Sequence, residues 1–165
     1  VLINEFQADN DSTVRNPVDD DYDDWIELVN VGDGVAQLQG MYISDEYDEP
    51  LKWQVEDAVT LDSGGHVLVW ADDHQEYGGL HTGFKLSKDG EEIILTASDG
   101  TTLIDRIAFG AQQEDVSYGR VPDGGGGMAN PAAFRFMEPT PGWANVPEPV
   151  AAFALACLLA GRLRG

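Results

Sequence analysis

Asp23-Asp24-Trp25-Ile26-Glu27-Leu28-Val29-Asn30 is the clearest strand in the chain. Successive strand side chains point to opposite faces, so Ile26 and Leu28 share one face and Trp25, Glu27 and Val29 the other. An acidic run, Asp19-Asp20-Asp21-Tyr22-Asp23-Asp24, leads into it. Asn30-Val31-Gly32-Asp33-Gly34, built from turn-forming residues, closes it. The same pattern of short strand and turn recurs on both sides.

Upstream, residues 1–8 read as a strand with Leu2, Phe6 and Ala8 on one face and Ile3 and Glu5 on the other. Downstream, Val35–Leu38, Met41–Ser44 and Leu51–Val55 read as short strands. His66–Ala71 is a near-continuous apolar run that predicts a central strand. Residues 72–86 carry Gly78, Gly79 and Gly83 and read as a long loop. Residues 92–96 and 102–109 form a hairpin about Asp99-Gly100, the dipeptide favoured in tight hairpin turns. Residues 116–121 and 134–137 add two more strands. The glycine run between them, Gly124 to Gly127, reads as a flexible linker. With no amphipathic helical period, the prediction is an all-β sandwich over residues 1–145; the cysteine pair of antibody domains is absent, so an immunoglobulin-like fold would rest on packing alone. Residues 146–165 form a separate segment containing a short apolar, helical stretch.

The charge narrows the partners. With 30 acidic and 9 basic residues, the formal net charge is -21. Such a surface repels nucleic-acid phosphates and anionic lipid headgroups. It suits cations, or simple solvation. The one cysteine, Cys157, rules out an intrachain disulfide. An export leader is expected upstream of Val1, because Leu2-Ile3-Asn4-Glu5-Phe6 enters a strand at once.

Three acidic clusters are candidate calcium loops: residues 19–24, residues 45–49, and Asp72, Asp73 and Glu76. The candidate ligands are Asp21, Asp23, Asp45 and Asp48. Calcium takes 6–8 oxygens, which several carboxylates on neighbouring loops would supply. None of the clusters has the EF-hand spacing, and solvated acidic loops are the alternative. His66, His74 and His81 are too dispersed for zinc. Trp53, on a short strand beside an acidic loop, is the candidate exposed aromatic. Trp25 and Trp70 are expected in the core. No nucleophile elbow and no phosphate loop is present, so no catalytic residue is assigned.

Several stretches together resemble the bacterial lamin tail domain. They include Ile3-Asn4-Glu5-Phe6, Asp24-Trp25-Ile26-Glu27-Leu28-Val29-Asn30, Leu38 to Asp45, Leu68-Val69-Trp70-Ala71-Asp72 and His81-Thr82-Gly83-Phe84-Lys85-Leu86-Ser87. Further on come Gly90-Glu91-Glu92-Ile93, Leu103-Ile104-Asp105, Asp115 to Arg120 and Pro139-Thr140-Pro141-Gly142. The resemblance implies an immunoglobulin-like sandwich serving as a non-enzymatic binding or structural module in exported or surface proteins. Within its motif, His81 is expected to make a structural hydrogen bond and is kept as a candidate binding residue.

The tail is similar to a PEP-CTERM sorting signal. Pro147-Glu148-Pro149 precedes an apolar run ending at Ala160, and Arg162 and Arg164 follow. That resemblance implies processing by a membrane exosortase, with the arginines held on the cytoplasmic side. The run is shorter than the ~20 residues that span a bilayer comfortably, and a helix docked on the domain is the alternative. The leading expectation is an adhesion or protein-interaction module with a protein or glycan ligand. A carbohydrate-binding accessory module with Trp53 in an exposed strip is second. A hydrolase using paired carboxylates is third.

Overall fold

The computed structural model describes residues 1–145. The sorting residues Pro147, Glu148, Pro149, Arg162 and Arg164, and the apolar run with them, lie outside the described residues. Eleven strands follow in order: β1 Leu2–Gln7, β2 Asp24–Val29, β3 Ala36–Gln37, β4 Tyr42–Ser44, β5 Trp53–Gln54, β6 Thr60–Leu61, β7 His66–Ala71, β8 Glu91–Thr96, β9 Leu103–Phe109, β10 Ser117–Arg120 and β11 Phe134–Met137. One sheet has the order β11-β10-β1-β2-β7 and the other β5-β4-β8-β9, with β3-β6 as a small ribbon. All pairings within the sheets are antiparallel. The core lies between the two large sheets, where Ile3, Phe6, Ile26, Leu28 and Val69 meet Ile43, Ile93, Leu95 and Ile107. Each such side chain contributes roughly 1.5–3 kcal/mol by leaving water. This is the all-β sandwich that the strand pattern predicts, of the immunoglobulin-like kind that the resemblance implies.

Strand β1 departs from simple alternation. Ile3 pairs with Leu28 and Glu5 with Glu27, so Asn4 is the extra residue of a β-bulge. One inserted residue reverses the facing of everything beyond it. Ile3 therefore joins Phe6 and Ala8 in the core, while Glu5 turns outward with Glu27. The expected grouping of Leu2 with Phe6 fails for that reason. Strand β7 is also not central: it is the edge of its sheet. Its apolar run is explained by cover, since the 72–86 loop folds back on it. There the Trp70 amide donates to the Leu80 carbonyl and the Thr82 amide to the Trp70 carbonyl, at 2.8 and 2.9 Å.

The glycine run at 124–127 is not a free linker. Arg120, fully buried, donates from Nη1 to the carbonyls of Gly125 and Gly127 at 2.8 and 2.7 Å. Its Nε donates to the Ile3 carbonyl, and its Nη2 binds both oxygens of buried Asp105 at 3.1 and 2.8 Å. Asp105 in turn accepts from the Ile3 amide at 3.0 Å and the Ala129 amide at 2.8 Å. The β1–β10 pairing covers only Glu5 and Phe6, so Ile3 has no strand partner on that side. The ion pair supplies both missing partners and joins β9 of one sheet to β1 and β10 of the other.

Candidate functional site

The 72–86 loop helps build a surface pocket. It turns at Gln75–Tyr77, a single 3-10 turn, and reverses through Gly78 and Gly79, both at positive φ (71° and 64°). An L-residue with a side chain is strained there, so the glycines permit the reversal that returns His81 to the side of Trp70. The pocket has a volume of about 580 Å³ and lies between this loop and strands β4 and β5. Tyr42, Trp53, Gln54, Glu56, Asp57 and His81 line it, with Lys52 and Gln75 at its margin.

His81 is held in one orientation. Its Nδ1 lies 2.5 Å from Asp72 Oδ2, and both side chains are buried. Asp72 also accepts from Asn16 Nδ2 at 3.2 Å and from the His74 amide at 3.1 Å. An ionised Asp72 can only accept, so a neutral His81 beside it carries its hydrogen on Nδ1. Tyr77 packs edge-on to the imidazole at 5.5 Å and stacks on His74 at 4.9 Å. His81 Nε2 has no hydrogen-bond partner among the described residues.

The two residues selected from sequence as binding candidates, Trp53 and His81, thus line one pocket. Trp53 does so from the inside. It is 8% exposed and belongs to the core cluster, paired across the sheet with Ile43. The expectation of an exposed aromatic strip at Trp53 is corrected: the exposed tryptophan is Trp143, at 77%. Trp25 and Trp70 are buried as expected, but on the outer face of the sheet, where Trp25 Nε1 donates to Gln7 Oε1.

The calcium candidates are not brought together. Among the described residues no group of three or more His, Cys, Asp or Glu is placed to hold a metal ion. Lys52 Nζ takes Asp45 and Glu46 at 2.7 Å each, Asn16 Nδ2 takes Asp23 at 3.0 Å, and Asp21 and Asp48 point into solvent. An ammonium already occupies the position a cation would need at Asp45.

A second constellation lies on the outer face of the β1-β2 sheet. Residues 139–145 cross it as a strap held by carboxylates. Glu5 accepts from the Thr140 amide and hydroxyl at 2.9 and 2.8 Å, and Glu27 from the Gly142 amide at 2.6 Å. Asp123 accepts from the Asn145 amide at 2.7 Å. His66 contacts Asp123 at 3.0 Å. Gly119, paired with Glu5, leaves room for the strap: a Cβ there would lie 2.8 Å from Asn145 Nδ2. Burial pushes Glu27 up to about 7 and raises Glu5 from its ordinary value. Burial likewise pushes Asp24 and Glu91 up to about 7.

The model of the Lamin Tail Domain family matches residues 1–111. The chain belongs to the lamin tail domain family. Neither a curated protein nor a solved structure matches it. In this lamin tail domain the pocket lies within the matched span. The ion pair to Arg120 and the strap use residues beyond it. His81 makes the structural hydrogen bond expected of it; its partner Asp72 and the strap are not anticipated from sequence. The only hints were an aspartate and a histidine on the rims of one glycine loop, and the Pro-Thr-Pro-Gly sequence after the last strand.

Proposed function

We infer that this lamin tail domain is a non-catalytic module of an exported or cell-surface protein, serving adhesion or protein interaction. Residues 146–165 are its exosortase sorting signal in this reading, supported by the order of Pro147-Glu148-Pro149, the apolar run, Arg162 and Arg164. The observation that carries the binding role is the pocket, where Trp53 and His81, on separate elements, meet among polar side chains. Its size falls in the ordinary range for ligand sites. The non-catalytic reading is supported by the carboxylates. Those with raised pKa are Glu5 and Glu27 under the strap, and Asp24 and Glu91, none of which lines the pocket. The burial of Trp53 removes the aromatic platform on which a carbohydrate-binding reading rested.

The test is a Gln54→Trp variant, which fills the mouth of the pocket from an exposed position. Wild type and variant are compared on immobilised cell-surface proteins and on a glycan array. Ligand retained by wild type and lost by Q54W, at unchanged melting temperature, is the expected result. Equal retention by both proteins would remove the pocket from the binding surface.

A further inference from the structure

We propose that the pocket between β5 and the 72–86 loop receives a basic side chain, a guanidinium or ammonium, presented by a protein partner. This rests on the reading of that pocket as the ligand site and names its ligand chemistry. The first observation is His81. It is 7% exposed, it lines the pocket, and its Nε2 is unpartnered among the described residues. Because Asp72 fixes the hydrogen on Nδ1, the neutral ring offers Nε2 as a lone-pair acceptor. Nε2 is not among the buried unpartnered atoms, so it opens on the pocket's solvent and a ligand N–H can take it in place of water.

The second observation is charge. The pocket contains one cation, Lys52, and its ammonium is already shared between Asp45 and Glu46. Glu56 and Asp57 line the pocket and enter no ion pair among the described residues. The local balance is negative and the chain as a whole carries a net charge of -21, which draws cations and repels anions over long range. Tyr42, half-buried on the pocket wall, adds aromatic surface of the kind that attracts a cation. A volume of about 580 Å³ exceeds one guanidinium, so flanking peptide enters too, within reach of the Gln54 and Gln75 amides.

The probes are acetyl-Gly-Arg-Gly-amide, the same peptide with neutral citrulline for arginine, and the sugars maltose and chitobiose. Each is titrated into the isotope-labelled chain while the side-chain resonances of Trp53 and His81 are followed by NMR. Saturable shifts with the arginine peptide are expected, with the citrulline peptide binding about tenfold more weakly. The Glu56→Gln, Asp57→Asn double variant changes only exposed side chains and keeps the fold. It should bind the arginine peptide about fivefold more weakly than wild type. Equal affinity for arginine and citrulline peptides, or equal affinity of the double variant, overturns the proposal. Shifts with a sugar and none with the peptide overturn it while leaving the pocket as a ligand site. No shift with any probe overturns both.

Discussion

Arg120→Met isolates the buried ion pair that joins the two sheets. Methionine keeps much of the buried stem and removes every donor. In the native protein that guanidinium makes five hydrogen bonds: two to Asp105 and one each to the carbonyls of Ile3, Gly125 and Gly127. Both members of the ion pair are fully buried. Without Arg120, the Asp105 charge remains in the core with only the Ile3, Arg106 and Ala129 amides beside it. Breaking a buried pair from one side costs about 3–5 kcal/mol, because the surviving charge is left uncompensated. For a domain of this size that lowers the melting temperature by roughly 10–20 °C.

The measurement is equilibrium urea denaturation followed by fluorescence of the buried Trp25 and Trp70. Adding Asp105→Asn to Arg120→Met removes the stranded charge and should restore about 1–2 kcal/mol of the loss. A loss below about 1 kcal/mol for Arg120→Met would refute the reasoning. So would a double variant whose loss equals the sum of the two singles, since the charges would then not be coupled.

Two further outcomes follow from the outer face of the sheet. Stability should fall as pH rises from about 4.5 to 7: burial holds Glu27 at about 7 against an ordinary 4.5, so over that window the folded state keeps a proton the unfolded chain has released. The shift corresponds to about 3 kcal/mol for Glu27, and the Glu27→Gln variant should show a pH–stability curve flatter by that order when both are measured in urea at each pH. Ending the chain at residue 111, where the family match stops, removes β10, β11, Arg120 and the strap. That fragment should show no cooperative urea transition, whereas a chain ending at 145 should retain one.

Much of the sandwich is legible in the sequence because local rules decide it. The Asp99-Gly100 turn sets the β8–β9 hairpin, and Ile26 and Leu28 face the core as alternation requires. What is not legible depends on partners far along the chain. The bulge at Asn4 breaks alternation by one residue and is visible only in the pairing with β2. Trp53 sits on a strand of two residues, too short for alternation to indicate a face, and its acidic neighbours suggested solvent where the structure has core. The glycine run was read from its backbone freedom, but its carbonyls are what Arg120 grips. Trp53 and His81 were identifiable as candidates; the aspartate that orients His81 was not, because it stood in an acidic cluster that looked like a cation loop.

That last confusion bears on how so acidic a chain is to be understood. A net charge of -21 invites the reading that its carboxylates form one population, a solvated coat or a calcium sink. The structure divides them by what they accept. Asp105 holds two sheets together through Arg120, and Asp72 sets the proton of His81. Glu5, Glu27 and Asp123 take amides of the strap. The strap is also the covalent route from the sandwich to residues 146–165. If those residues anchor the protein, any load on the anchor reaches the domain first at the Asn145 amide on Asp123, then at the Gly142 amide on Glu27. Burial under the strap raises Glu5 and Glu27 above their ordinary values, so at Glu27 the strap is held best while the carboxyl keeps its proton and loosens as pH rises toward about 7.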